Sequence, residues 1–175
     1  QGLNRQAGPA IATFGNTLTL GGSRNVSDEV VFRAQTPQGR YWRAVVYDSY
    51  NGRSWLSTAS DKVAVSSNES INSPGWSMRE PITQTIHLEA PVGYSLFSAQ
   101  DIQRVDVAID ATVRRISATQ EASAEAIVED GPTSITPEFE VTAAHSRRSL
   151  DRGDRYTVVS QNPVVTELAL RTAST

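Results

Sequence analysis

Cysteine is absent from all 175 residues, which excludes disulfides, thiolate metal sites and a cysteine nucleophile from this chain. Lysine occurs once, at Lys62, and the other cations are scattered arginines. With a net charge of −3 and a pI near 5.4, the chain lacks the clustered basic surface that a phosphate backbone selects, so no nucleic-acid partner is expected. No apolar run approaches the ~18 residues that cross a bilayer. The opening Gln1-Gly2-Leu3-Asn4-Arg5 carries no apolar signal-peptide core. A chain that starts on glutamine and closes on Ala173-Ser174-Thr175 is expected to be a piece of something larger.

What is present is β-forming. A chain of this length buries roughly 70% of the surface its unfolded form exposes, enough for one core without staples. Residues 1–16 lack periodicity and read as a leader arm. Short strands follow at Leu18–Leu20 and Val30–Ala34. Ile82, Ile86 and Leu88 alternate with Thr83, Thr85 and His87, the period of a half-buried strand. A further strand is expected from Tyr94. Val105, Val107, Ile109, Ala111 and Val113 alternate with more polar neighbours over a length that fits two strands or one bent one. Ala124–Val128, Phe139–Ala143 and Tyr156–Ser160 complete the set, while the Ser- and Asn-rich 57–81 stretch reads as a surface excursion with strand character only at 62–65. This pattern predicts an all-β fold over 17–161, an antiparallel β-sandwich of immunoglobulin-like or related type, with a partly open barrel as the alternative. Asn162-Pro163 has the form of an N-cap and first-turn proline, so 162–175 is expected to be a short helical connection toward a following domain.

The densest aromatic stretch is Tyr41-Trp42-Arg43-Ala44-Val45-Val46-Tyr47-Asp48-Ser49-Tyr50-Asn51-Gly52-Arg53-Ser54-Trp55. Asn-Gly between β-prone runs predicts a hairpin through a type I′ turn, whose two central residues need positive φ. Both faces of the 41–47 arm carry apolar side chains, which places it as a central strand. Arg43 shares a face with Tyr41 and Val45. It is therefore expected to be partly buried and paired with a carboxylate such as Asp48, because an unpaired buried guanidinium is very costly.

Catalytic chemistry finds little to stand on. A serine or threonine nucleophile needs an oriented base, and the two histidines, His87 and His145, sit in motif-free contexts that read as structural or exposed. Asp106 with Asp110, and Glu138 with Glu140, share strand faces, but such spacing is common on solvated sheets. Asp48, Asn51 and Asp61 lack the spacing of a calcium loop, so neither metal nor cofactor is expected. Arg152-Gly153-Asp154 matches an adhesion tripeptide and equally an ordinary turn. Trp42, Trp55, Trp76 and Tyr50 are candidates for a sugar-stacking platform, with core packing the simpler reading for Trp42.

The stretch from Tyr41 to Trp55 resembles the Y-[WL]-R-x-x-x-[YF]-D-x-[YF]-[DN]-G-x-x-W pattern of bacterial membrane-anchored transglutaminase-like, cysteine-protease-like proteins. Weaker matches flank it at Leu18–Gly22, Ser27–Arg33, Tyr156–Ser160 and Leu168–Arg171. In that family the pattern lies outside the membrane, between membrane helices and the transglutaminase core, and the catalytic Cys, His and Asp belong to that downstream core. The resemblance thus implies a non-catalytic domain on the outer face of the bacterial cytoplasmic membrane that positions or shields the core. It makes Tyr41, Arg43, Tyr47, Asp48, Asn51, Gly52 and Trp55 motif residues of structural role. The implied partner is the adjoining core of the same polypeptide, with cell-surface proteins or peptides as further partners. The competing class is an independent carbohydrate- or protein-binding module on the same sandwich.

Overall fold

The computed structural model describes residues 14–19, 28–38, 41–72, 79–116 and 138–164. These residues form strands and connections with no helix among them. The strands are β1 (Thr17–Thr19), β2 (Phe32–Gln35), β3 (Ser49–Tyr50), β4 (Ser54–Leu56), β5 (Asp61–Val65) and β6 (Arg79–Leu88). They continue as β7 (Gly93–Ser95), β8 (Ile102–Val105), β9 (Ile109–Ile116), β10 (Glu138–Leu150) and β11 (Arg155–Pro163).

Two four-stranded antiparallel sheets, ordered β5-β9-β10-β7 and β2-β6-β11-β8, share one hydrophobic core. A small three-stranded sheet, β1-β4-β3, holds the aromatic hairpin. No sheet of the described residues closes on itself, so the architecture is the sandwich and not the barrel.

The alternation seen in the sequence is the alternation that packs. On β6, Ile82, Gln84, Ile86 and Leu88 point inward, and on β11 Tyr156, Val158, Ser160 and Asn162 do the same. From the opposing sheet come Val65, Ile109, Ala111, Val113, Val141, Ala144 and Leu150. Each fully buried large aliphatic side chain, such as Ile86, Ile109 or Leu150, contributes about 1.5–3 kcal/mol relative to exposure. Phe97 is the aromatic hub, stacked on Phe32 at 4.7 Å between ring centroids and meeting Phe14 edge-on at 5.9 Å.

The run from Val105 to Val113 resolves into two strands in different sheets, joined by the bend at Asp106 and Val107. Two expectations are corrected. Residues 41–47 do not form a central strand: the arm has no strand of its own, making isolated bridges from Arg43 to Ser98 and from Val45 to Ala143, and Tyr41 stands in solvent. No helix starts at Asn162 either, because β11 continues through it, pairing Asn162 with Glu80 and Pro163 with Arg79. The ten-residue reach of β6 supplies a partner strand that keeps β11 extended, overriding the local capping signal. The leader arm up to residue 13, the strand expected at Ala124–Val128, Trp76 and the tail from 165 onward lie outside the described residues.

Candidate functional site

The motif segment is built onto an open sheet edge. β7 pairs with β10 only from His145 to Leu150, so the first half of β10 has no β7 neighbour. Into that gap comes the 43–46 arm. Val45 bridges Ala143, and the Val46 N–H donates to the Thr142 carbonyl at 2.8 Å. Thr142 lies at the register shift between Val141 and Ala143, where β10 falls out of step with β9. A bulge of this kind re-aims a backbone group, and here it frees a carbonyl for the arm. Arg43 is fixed to the other side by reciprocal backbone bonds with Ser98, at 2.9 and 3.1 Å. The arm thus caps an edge that would otherwise present unpaired donors and acceptors.

From that anchor the Arg43 side chain reaches Asp101, Nη2 lying 3.4 Å from Oδ1, and donates to the Val141 carbonyl at 3.3 Å. Asp101 is 7% exposed, adopts a left-handed φ of 48°, and also pairs with Arg79. A carboxylate this deep requires charge compensation, and it has a guanidinium on either side. Burial lowers the Arg43 pKa against an opposing pull from Glu140, and burial followed by the neighbouring Arg43 charge lowers that of Arg79. Arg43 is therefore half-buried and paired as expected, but with Asp101, not Asp48. Asp48 is taken by other partners at the opposite end of the arm, Thr58 and Arg114.

Asp48 works at the other end of the arm. Its carboxylate accepts from the Thr58 N–H at 2.9 Å and the Thr58 hydroxyl at 2.6 Å, and pairs with Arg114 at 2.9 Å. Those Thr58 bonds, then the Arg114 charge, hold its pKa below the usual carboxylate value. Arg114 also grips Glu140 through Nη2 at 2.6 Å and Nε at 3.1 Å, and this bond raises its own pKa. A charge ladder Glu140–Arg114–Asp48 thereby ties the hairpin to β9 and β10. Tyr47 adds a strap, its hydroxyl donating to the Gly15 carbonyl at 3.0 Å, and the Ser57 N–H bonds Asn16 O at 2.9 Å.

The hairpin turn differs from the type I′ expectation. Positive φ occurs at Gly52 (90°) and not at Asn51. Tyr50 pairs Trp55 and the Asn51 N–H bonds Ser54 O at 3.1 Å, so the two-residue loop is Gly52-Arg53. Glycine at the first central position is what a type II′ turn requires. Asn51 serves instead through its side chain, Oδ1 accepting from Arg53 N at 3.1 Å and Ser54 N at 2.8 Å. Across the pair, Tyr50 and Trp55 hold their rings 5.1 Å apart while remaining 50% and 39% exposed. Trp42 packs against the core, consistent with its simpler reading.

The other candidates do not converge. His87 lies opposite Arg33 and Arg155 in the register, and His145 lies opposite Asp110 and Ser95. Burial, then Lys62, lowers the His145 pKa. Asp106 accepts from the Thr157 N–H, Asp110 pairs with Arg147, and Asp61 pairs with Arg115. In the 152–154 tripeptide, Gly153 takes a φ of 89° and the Asp154 carboxylate bonds Asp151 N and pairs with Arg148. That acid is committed to its own turn. Among the described residues, no three His, Asp or Glu side chains converge in a way that would hold a metal. Sequence reasoning missed Asp101, Arg79, Arg114 and Thr58, since each belongs to a distant strand or loop and carries no local motif.

A family model described as the TgpA N-terminal domain matches residues 1–167. No curated protein and no solved structure matches the chain.

Proposed function

The chain belongs to the TgpA N-terminal domain family and is a domain of a transglutaminase-like protein. From that premise we propose that it is a non-catalytic domain on the extracytoplasmic face of a bacterial cytoplasmic membrane, and that it positions or shields the linked transglutaminase-like core. The observation that carries this reading is the use of the motif's polar atoms. Arg43, Tyr47, Asp48 and Asn51 each direct them at partners inside the domain, so the motif assembles a scaffold. A site built for chemistry keeps reactive groups facing a cleft.

Two measurements on the full parent protein test it. An Arg152→Cys variant at the exposed turn should react with a membrane-impermeant maleimide in intact cells once any outer membrane is permeabilised, and labelling only after lysis overturns the placement. Replacing the core's own cysteine should abolish turnover, and turnover that survives puts chemistry into this domain.

A second reading, a carbohydrate- or protein-binding module, draws on one observation, the half-exposed Tyr50–Trp55 ring pair. Paired aromatic faces of this kind stack on sugar rings. Retention of the protein on cell-wall glycan, lost on Trp55→Ala, favours this reading.

A further inference from the structure

Tyr41 opens the motif yet takes no part in its internal network: it is 90% exposed. With Gln100, Asn162 and Pro163 it lines a cavity of about 180 Å³. A second cavity of about 290 Å³ shares Asn162 and is lined also by Pro37, Gln38, Glu80, Thr83 and Val164. Asn162 lines both cavities, and its side chain is buried, with Nδ2 donating to Gln38 Oε1 at 3.3 Å. Asn162 thus borders both hollows, and among the described residues that line them Tyr41 is the exposed aromatic and Glu80 the one charged group.

This surface is not a template for strand addition. The pairing of β2 on β6 stops at Gln35 and Thr85, leaving β6 from Arg79 to Gln84 with β11 on one side, but Pro81 removes a backbone donor from that stretch. Exposed tyrosine flanked by neutral polar groups is the composition that anchors protein interfaces.

Position selects the partner. β11 ends at Pro163, the next residue Val164 lines the second hollow, and the family match ends at residue 167. The rest of a protein of which this is the N-terminal domain therefore follows from the rim of these hollows. A tethered body meets the surface beside its tether at high effective concentration, so modest contacts suffice to seat it. We propose that the Tyr41 surface, with the two hollows that share Asn162, is the docking face for the transglutaminase-like core of the same polypeptide. This rests on the scaffold reading above and adds the face on which the core sits.

The test uses the full parent protein in membranes, with the photocrosslinker p-benzoylphenylalanine in place of Tyr41 or, as comparator, of Tyr94, which is also exposed but belongs to the other sheet. Position 41 should crosslink to peptides of the core in excess over position 94 by on the order of tenfold. Tyr41→Ala, which removes no hydrogen bond or ring contact within the domain, should raise hydrogen exchange at the amides of 79, 80, 82, 83, 162 and 164 in the parent. Crosslinks from position 41 that land on another polypeptide, stay within the domain, or match those from position 94 overturn the docking face. If they do so while the Arg152→Cys variant still labels from outside, the placement stands and the docking face alone falls.

Discussion

The Tyr156 hydroxyl makes a two-way hydrogen bond with the backbone of Phe97, accepting from its N–H at 2.7 Å and donating to its carbonyl at 3.1 Å. Tyr156 is fully buried on β11, and Phe97 lies in the connection between β7 and β8, so one phenol ties β11 to the crossover that passes from one sheet to the other. It also sets the Phe97 ring against Phe14 and Phe32. Tyr156→Phe keeps the shape but strands two buried backbone groups, which should cost about 1–3 kcal/mol. Chemical denaturation should show a lower midpoint at unchanged slope. A loss below about 0.5 kcal/mol would mean that water or a shifted backbone replaces the phenol.

The same phenol predicts alkaline sensitivity. Burial raises its folded-state pKa, with the Phe97 bond opposing, above the value of about 10 in an unfolded chain. The contribution is therefore fully present below about pH 10 and is lost as pH rises from there toward the folded-state pKa. The stability of the native protein should fall more steeply above that point than that of Tyr156→Phe, whose curve lacks this component. Parallel curves for the two proteins between about pH 10 and 11 would contradict the assignment.

How far the sequence foretold this structure depended on whether a signal was local. The alternation on β6 and β11 is a repeat of period two, so the inward faces and the sandwich class could be read directly. The hairpin at Gly52 was visible because its turn chemistry is contained in adjacent residues, although the side-chain role of Asn51 moved the turn by one position. The 41–47 arm was misplaced because apolar residues on both faces fit a central strand and an edge cap equally well. That choice was made by the bulge at Thr142, a hundred residues away in sequence terms and silent locally. Arg43 announced its need for a carboxylate, but which one was decided by the loop that carries Asp101.

Arg43 and Asp101 give the most direct test of that last point. Arg43→Met removes one of the two guanidiniums around a buried acid and the bond to Val141 O, and should cost about 1–3 kcal/mol. In a double-mutant cycle with Asp101→Asn the two effects should be non-additive by at least about 0.5 kcal/mol. The corresponding cycle of Arg43→Met with Asp48→Asn should be additive. Coupling to Asp48 and none to Asp101 would restore the pairing that the sequence predicted.

Asp48 should govern how firmly the hairpin holds. Asp48→Ala removes both Thr58 bonds and the Arg114 pairing, so amide exchange over 54–58 should accelerate while the sandwich strands stay protected. Because its folded-state pKa is lowered, its contribution is present above the unfolded value near 3.9 and disappears as pH falls through the folded one. The native hairpin should loosen below about pH 4, and Asp48→Ala should be insensitive to that change. Exchange at 54–58 that is unaltered at neutral pH would show that Tyr47 and the backbone bonds suffice.

Gly52 separates backbone strain from crowding. Its φ of 90° lies where L side chains are disfavoured, yet a Cβ built there would meet nothing within 4 Å. Gly52→Ala should therefore lose about 1–2 kcal/mol of local stability purely from the left-handed backbone. Asn51→Asp keeps the acceptor for Arg53 N and Ser54 N and should be nearly neutral, whereas Asn51→Ala removes it and should cost about 1 kcal/mol. The fluorescence of Trp55 beside Tyr50 reports whether the turn has opened. If Gly52→Ala is harmless while Asn51→Ala is not, the side-chain bonds, and not the glycine, hold the two strands in register.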